Sequence, residues 1–282
     1  MTLEVIAPGP FTTIQDLGRP GRAALGVGAS GAADPTALRL ANRALGNPEE
    51  SAALEVTLGG LTLHSHIAVY AVVTGAPAPI TVNGRAEPSY APFFIPKGAE
   101  VRLATPPTGL RSYLAVRGGI ETPPVLGSRS TDTLARLGTS LTPGTILPVG
   151  PPPTTSLTID VLPVRPPPAG DLHLRVLLGP RADWFTEDAL RTLLSEPYEV
   201  TTQIDRVGMR LNGPPLARAR TDELPSEGMV TGALQVPPSG TPVLFLADHP
   251  LTGGYPVIAV VATADIGRAA QARPGQKLRF HT

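Results

Sequence analysis

Short apolar runs, many of them β-branched and bounded by Gly, Pro or Asn, recur along the chain. Runs of that length between turn-forming residues predict buried strands. Leu3 to Ile6, Glu55 to Leu63, Ile67 to Val73, Ser112 to Val116, Val243 to Leu246 and Val257 to Val261 read this way, and Leu172 to Leu178 alternates cleanly. Asn83-Gly84 closes a predicted strand–turn–strand over 74–84, and Pro96-Lys97-Gly98 marks another turn. Two stretches have the helical period instead. Asp34 is placed to cap a helix that Pro35 opens, with Leu38, Ala41 and Leu45 on one face, Asn42 on another, and Gly46-Asn47-Pro48 as its stop. Asp183 to Ser195, carrying Trp184, Phe185, Leu190 and Leu194, is the second predicted helix.

Composition sharpens this into a fold class. The chain has 282 residues, 41% of them hydrophobic, with 34 Pro and 30 Gly spread between the apolar runs without a repeat. That is a globular, turn-rich β protein with enough length for two domains. Pro148 to Pro153 and Pro163 to Pro168 are the most linker-like stretches, separated by a short apolar run. A boundary at the second cluster divides the chain into 1–166 and 167–282.

Charge removes several function classes. Lys plus Arg and Asp plus Glu both number 23, so no basic excess points to nucleic acid. No apolar run approaches the length of a membrane span, and the N-terminus lacks a signal-peptide pattern, so a cytoplasmic protein is expected. With no Cys there is no disulfide framework, thiolate nucleophile or Cys-bound metal.

Polar side chains concentrate in loops at 12–19, 126–132, 205–210 and 226–256. Gln15, Asp16 and Arg19 either line a site or form an Asp–Arg staple. Leu126 to Asp132, rich in hydroxyls, suits an anion or a capped turn. Arg206 and Arg210 flank Gly208 and share a side if the segment is extended, an arrangement for a carboxylate, a phosphate or a partner. Ser226-Glu227-Gly228, Gln235, Asp248 and Thr252-Gly253-Gly254-Tyr255-Pro256 lie at the ends of two predicted strands, where a rigid β scaffold either presents groups to a ligand or uses Gly and Pro only to shape the turns, the reading that spacing alone favours. Gly26 to Gly31 spells G-x-G-x-x-G with Glu55 downstream, but no strand leads into it and the helix starts too late to hold a pyrophosphate. His64 and His66 share one side of a strand without a third ligand in view, so no metal site is expected. There is no Walker A lysine and no G-x-S-x-G elbow.

In order along the chain, Thr13-Ile14-Gln15-Asp16-Leu17-Gly18-Arg19-Pro20-Gly21, Arg117-Gly118-Gly119-Ile120, Leu126 to Thr131, Asp205 to Leu211, Ser226-Glu227-Gly228 and Thr252 to Pro256, with Asp265, Gln271 and Pro274-Gly275, resemble one family. It is the family of 5-oxoprolinase C subunits, also labelled KipA or allophanate hydrolase subunit 2, related to the carboxyltransferase part of urea amidolyase. Asp248-His249-Pro250-Leu251 departs from it, since the family usually carries Gln-Thr there.

The resemblance implies a mainly β fold of two cyclophilin-like β-barrel domains with a few short helices. It implies one component of an ATP-hydrolysing 5-oxoprolinase, active only in complex with the A and the KipI-like B subunits, opening 5-oxo-L-proline to L-glutamate. ATP would be shared with the complex. Arg206, Arg210, Glu227 and Asp248 would be catalytic, with Gln15, Arg19, Gln235, Gly253, Gly254 and Tyr255 binding substrate. On this reading Arg206→Ala abolishes turnover and leaves the fold intact. The alternatives are a biotin-dependent carboxyltransferase-like domain acting on urea-like amides, and a non-catalytic regulator antagonising a kinase-inhibitor partner.

Overall fold

A computed structural model describes residues 1–157 and 160–282, so Thr158 and Ile159, in the apolar run between the two proline clusters, lie outside the described residues. The chain forms two compact units. One comprises residues 1–19, 34–132 and 136–167; the other comprises 20–33, 133–135 and 168–282.

The first unit contains β1 (Thr2–Pro8), β2 (Phe11–Gln15), α1 (Pro35–Ala44), β3 (Ala53–Thr57), β4 (Leu61–Ser65), β5 (Val69–Gly75) and β6 (Ile80–Val82). It continues with β7 (Arg85–Glu87), β8 (Phe93–Ile95), β9 (Glu100–Leu103), β10 (Arg111–Val116) and β11 (Ile146–Pro148). Six strands form a sheet in the order β11-β1-β4-β9-β6-β7, and five form another in the order β2-β3-β10-β5-β8. The inward residues of β1, β3, β4, β5, β9 and β10 build one apolar core, including Val5, Leu54, Leu63, Val73, Val101 and Leu114.

The expected turns and helix are present. Asn83-Gly84 joins β6 to β7, and Asp34 caps α1 by accepting from the Ala37 N–H at 3.1 Å. Leu38, Ala41 and Leu45 are buried as the helical period requires. Asn42 is not turned to water. It is fully buried and donates to the Glu49 and Ser51 carbonyls, fastening the chain that leaves the helix. The expected single strand over Glu55 to Leu63 is a pair, β3 and β4, broken by a turn at Leu58, Gly59 and Gly60.

The first proline cluster is tied down, not linker-like. Pro148 ends β11, and Arg117 donates to the carbonyls of Leu45, Pro153 and Thr155. Beside it Gly118 has φ +103°, and a Cβ there would collide with the Gly150 carbonyl. Gly118→Ala is therefore expected to destabilise by roughly 3 kcal/mol, from strained φ plus overpacking. Gly170, with open space around it, is the control, and Gly170→Ala should stay within about 0.5 kcal/mol in the same denaturation experiment.

The second unit contains β12 (Leu172–Leu178), α2 (Glu187–Ser195), β13 (Tyr198–Ile204), β14 (Gly208–Asn212), β15 (Glu227–Gly228) and β16 (Ala233–Gln235). It ends with β17 (Val243–Phe245), β18 (Thr252–Gly253), β19 (Val257–Val261), α3 (Thr263–Ala269) and β20 (Lys277–His281). Seven of these strands close into a barrel, β12-β19-β16-β17-β14-β13-β20, and β15 pairs with β18 outside it. Closure removes the unpaired strand edges that an open sheet exposes. Leu174, Val200, Met209, Leu234, Leu244, Ile258 and Phe280 fill the barrel core.

The predicted helix over Asp183 to Ser195 is shorter, because a 3₁₀ turn at Ala182–Trp184 precedes a Thr186 cap that starts α2. α3 is pinned to β12 by Asp265, which accepts from the Arg175 N–H at 2.9 Å and from Arg268 at 3.1 Å. No helix among the described residues is long and apolar enough to cross a membrane.

Candidate functional site

Two polar constellations lie in the second unit. The first is buried. Arg206 sits in the turn between β13 and β14 and is 1% exposed, while Asp248, after β17, is 2% exposed. Arg206 donates through Nε at 2.9 Å and Nη2 at 2.8 Å to the two Asp248 carboxylate oxygens, a bidentate pair. Ser30 Oγ donates to Asp248 at 2.6 Å, and Thr133 donates through N–H and Oγ1 at 2.9 and 2.8 Å. Arg206 Nη2 also donates to the Gly31 carbonyl at 2.6 Å. Burial by itself would raise the Asp248 pKa. The Arg206 charge and the hydrogen bonds from Arg206, Ser30 and Thr133 outweigh that and hold it below the ordinary carboxylate value. The pair anchors the 20–33 and 133–135 segments to the barrel.

The second constellation is open to solvent. It is built on the two-stranded β15–β18 ribbon and the neighbouring ends of β16 and β19. Arg181, after β12, binds Glu227 through both Nε and Nη2. The hydrogen bond from Arg181 lowers the Glu227 pKa, so at neutral pH this carboxylate is an acceptor and not a proton donor. Gln235 is buried, donates to the Tyr255 carbonyl at 3.2 Å, and approaches Gly253 so closely that a Cβ there would overlap its amide nitrogen. Gly254 and the Tyr255 ring are exposed. The Arg218 guanidinium lies 5.9 Å from the centre of that ring.

The sequence-predicted residues therefore do not form one cluster. Glu227, Gln235, Gly253, Gly254 and Tyr255 are brought together on the ribbon. Arg206 and Asp248 form the buried anchor. Arg210, expected beside Arg206, is exposed on β14, and its side chain makes no hydrogen bond or ion pair among the described residues. The extended strand begins only at Gly208, so the shared face assumed for both arginines does not arise.

Gln15 and Arg19 belong to the first unit and are buried. Gln15 donates to the Thr131 carbonyl at 2.9 Å, Arg19 donates to the Ser130 carbonyl, and Asp16 gathers Ser128, Arg129 and Ser130. Asp16 and Arg19 thus fasten the 125–132 loop without pairing with each other, and the ion pair of Arg19 is with Asp132 at 3.9 Å.

Other candidates are absorbed by structure. Glu55 is 1% exposed and accepts from the Tyr113 hydroxyl at 2.8 Å, so it is not presented to a ribose. The His64 and His66 rings meet edge-to-face and His66 pairs with Glu4. Among the described residues no three His, Cys, Asp or Glu gather as metal ligands.

Sequence reasoning missed Arg181, Arg218, Ser30 and Thr133. Arg218 shares its segment with Arg220, and nothing local distinguishes them. The structure pairs Arg220 with Asp183 at 3.3 Å and places Arg218 on Tyr255.

Comparison with known proteins adds the family. A model of the carboxyltransferase domain, subdomain A and B, matches residues 25–282. The chain belongs to this carboxyltransferase-domain family. Within it, the chain is 36% identical to the 5-oxoprolinase C subunit of Escherichia coli, over 99% of this chain and 90% of the relative. The carboxyltransferase-domain fold superposes on a crystal structure of TTHA0988 with a TM-score of 0.91 at 36% identity, covering 100% of this chain and 55% of that one. It also superposes on the K. lactis urea amidolyase with a TM-score of 0.89 at 31% identity, covering 99% of this chain but 18% of the amidolyase. The chain thus spans about half of one solved relative and under a fifth of the other.

Proposed function

We propose that this chain is the C subunit of a 5-oxoprolinase, working with partner A and B subunits to open 5-oxo-L-proline to L-glutamate at the expense of ATP. One observation carries the reading: the 36% identity to the E. coli protein extends over 90% of that relative. The amidolyase match, by contrast, is confined to a small part of a much longer chain. The cytoplasm is the expected compartment.

In this reaction the lactam C–N bond breaks, the oxygen of water joins the carbonyl carbon, and the nitrogen takes a proton. An unactivated lactam resists this, and the coupled nucleotide supplies the activation. The Gly26–Gly31 glycines follow a 3₁₀ turn and do not open a helix, so they offer no helix N-terminus to a phosphate. On this reading ATP is shared with the complex.

This chain contributes a polar surface. Glu227, kept ionised by Arg181, accepts a hydrogen bond from the lactam N–H, which orients the ring. Gln235 holds the Tyr255 backbone, so that Gly253, Gly254 and Tyr255 keep one conformation. Arg206 and Asp248 act as positioning residues that brace the barrel end, and Gln15 and Arg19 do the same for the 125–132 loop.

The test is release of glutamate from 5-oxo-L-proline plus ATP, with this chain alone and with both partner subunits. Turnover is expected only in the complete mixture. Absence of turnover in every mixture, with association of the subunits demonstrated, would overturn the reading. It would favour the carboxyltransferase function that the 31% identity to urea amidolyase keeps in view, or a regulatory one.

A further inference from the structure

Beside Arg218 the second unit carries a groove of about 490 Å³, walled by Pro215, Pro237 and Pro238 and edged by Thr221 and Ser239. Its floor is held by backbone bonds: Leu216 donates to the Gly240 carbonyl at 2.8 Å, and Ala219 to the Trp184 carbonyl at 2.8 Å. An isolated β-bridge joins Arg218 to Phe185. Proline walls and backbone-bonded loops restrict this groove before any ligand arrives, which lowers the entropic cost of binding.

Arg218 is half-buried in its lining. It donates through Nη2 to the Val236 carbonyl at 2.5 Å and lies over the Tyr255 ring, 5.9 Å from its centre. Its Nε is closed off inside the protein without a hydrogen-bond partner, whereas Nη1 is not buried and makes no hydrogen bond or ion pair among the described residues. A partly desolvated guanidinium with donors left over is poised for a carboxylate, because its planar fork matches the two oxygens. The other polar side chains along this groove, Thr221 and Ser239, carry hydroxyls, so neither competes as an acid.

We propose that Arg218 and this groove form a binding site for a small carboxylate carried on a compact ring, the ring lying against the prolines and the carboxylate on the guanidinium. The site deepens the 5-oxoprolinase reading, and rests on it for the choice of 5-oxo-L-proline as the carboxylate. Tyr255 then links the groove to the Glu227–Gln235 ribbon, and Arg218 is the residue that selects an acid over a neutral lactam.

Titration calorimetry on the full chain tests this, with 5-oxo-L-proline and the carboxylate-free pyrrolidin-2-one as probes. Saturable binding of the acid is expected, with binding of the neutral lactam at least tenfold weaker. Arg218→Gln should weaken acid binding at least tenfold. Arg218→Lys, which keeps the charge and loses the fork, should fall between; it also keeps the test decisive if the Gln variant misfolds, as Trp184 fluorescence would reveal.

Equal binding by wild type and both variants, equal binding of the two probes, or no binding by wild type would each overturn the site. The glutamate assay separates this from the broader reading. Turnover by the complex with an unaltered KM in Arg218→Gln removes the site and leaves the oxoprolinase. Arg218-dependent acid binding without turnover does the reverse.

Discussion

Asp248→Asn is expected to destabilise the protein by about 3–5 kcal/mol, the cost of leaving a buried arginine without its counter-charge. Arg206 is 1% exposed and directs Nε and Nη2 at the Asp248 oxygens, so no water can replace the lost carboxylate charge. Arg206→Ala should cost a similar amount, which corrects the expectation that it would spare the fold. The double variant Arg206→Ala with Asp248→Asn should lose clearly less than the two singles summed, because it removes both charges together. Urea denaturation of the four proteins checks this. Additive losses would show that the pair is not coupled.

The same pair sets an acid limb. The Asp248 pKa is lower in the folded protein than in the unfolded chain, so the unfolded state binds the proton more readily as pH falls. The stability it contributes is complete above about pH 4, the ordinary carboxylate range, and is lost as pH falls through the folded value. Asp248→Asn should therefore flatten the stability profile below about pH 4 relative to wild type. Glu227 and Asp265, also lowered, keep part of the limb in the variant.

The second large effect is expected at Asp16. Its Oδ1 accepts from the Gly18 N–H at 2.8 Å and from the hydroxyls of Ser128 and Ser130 at 2.5 Å each, and its Oδ2 accepts from the Arg129 N–H at 2.6 Å. Ser128 and Ser130 are 1% and 0% exposed, so the donors that Asp16→Ala abandons are not rescued by solvent. At about 1–3 kcal/mol for each buried donor left unmet, relaxation of the loop still leaves a loss of about 3–4 kcal/mol. The loss should be concentrated in the 125–132 loop, whose amides would exchange hydrogen much faster than those of β10. Ser128→Ala, which removes one donor to Asp16 and also strands the Ser130 N–H that the Ser128 hydroxyl accepts at 3.0 Å, should cost about 2 kcal/mol. Unchanged exchange in the loop of Asp16→Ala would show that Arg19 and Gln15 alone suffice to hold it.

These two sites also show where local reading stops. Strand periodicity was legible at Leu172–Leu178 and Val257–Val261 because alternation, or a β-branched run between turns, is a property of neighbours in sequence. The Asp34–Pro35 helix start was legible for the same reason. Asp16 and Arg19 were recognisable as residues that bind something, yet their partners lie more than a hundred positions away at Val125 and Ser130. Arg206 and Arg210 looked equivalent around Gly208. One is sealed against Asp248 and the other faces solvent, a difference made by where β14 begins.

By itself, then, the sequence determined the β-rich class, the turns, the first helix and, through ordered motifs along nearly the whole chain, the family. All of these depend on residues close in sequence or on their order. Only the tertiary structure decided that residues 20–33 and 133–135 join the second unit, where Ser30, Gly31 and Thr133 complete the Arg206–Asp248 anchor. It alone separated the buried anchor from the open ribbon of Glu227, Gln235 and Tyr255, and brought Arg218 onto that ribbon. The physical reason is that a buried charge must be met by whatever polar groups the fold places beside it, and barrel closure, not sequence proximity, chooses those groups.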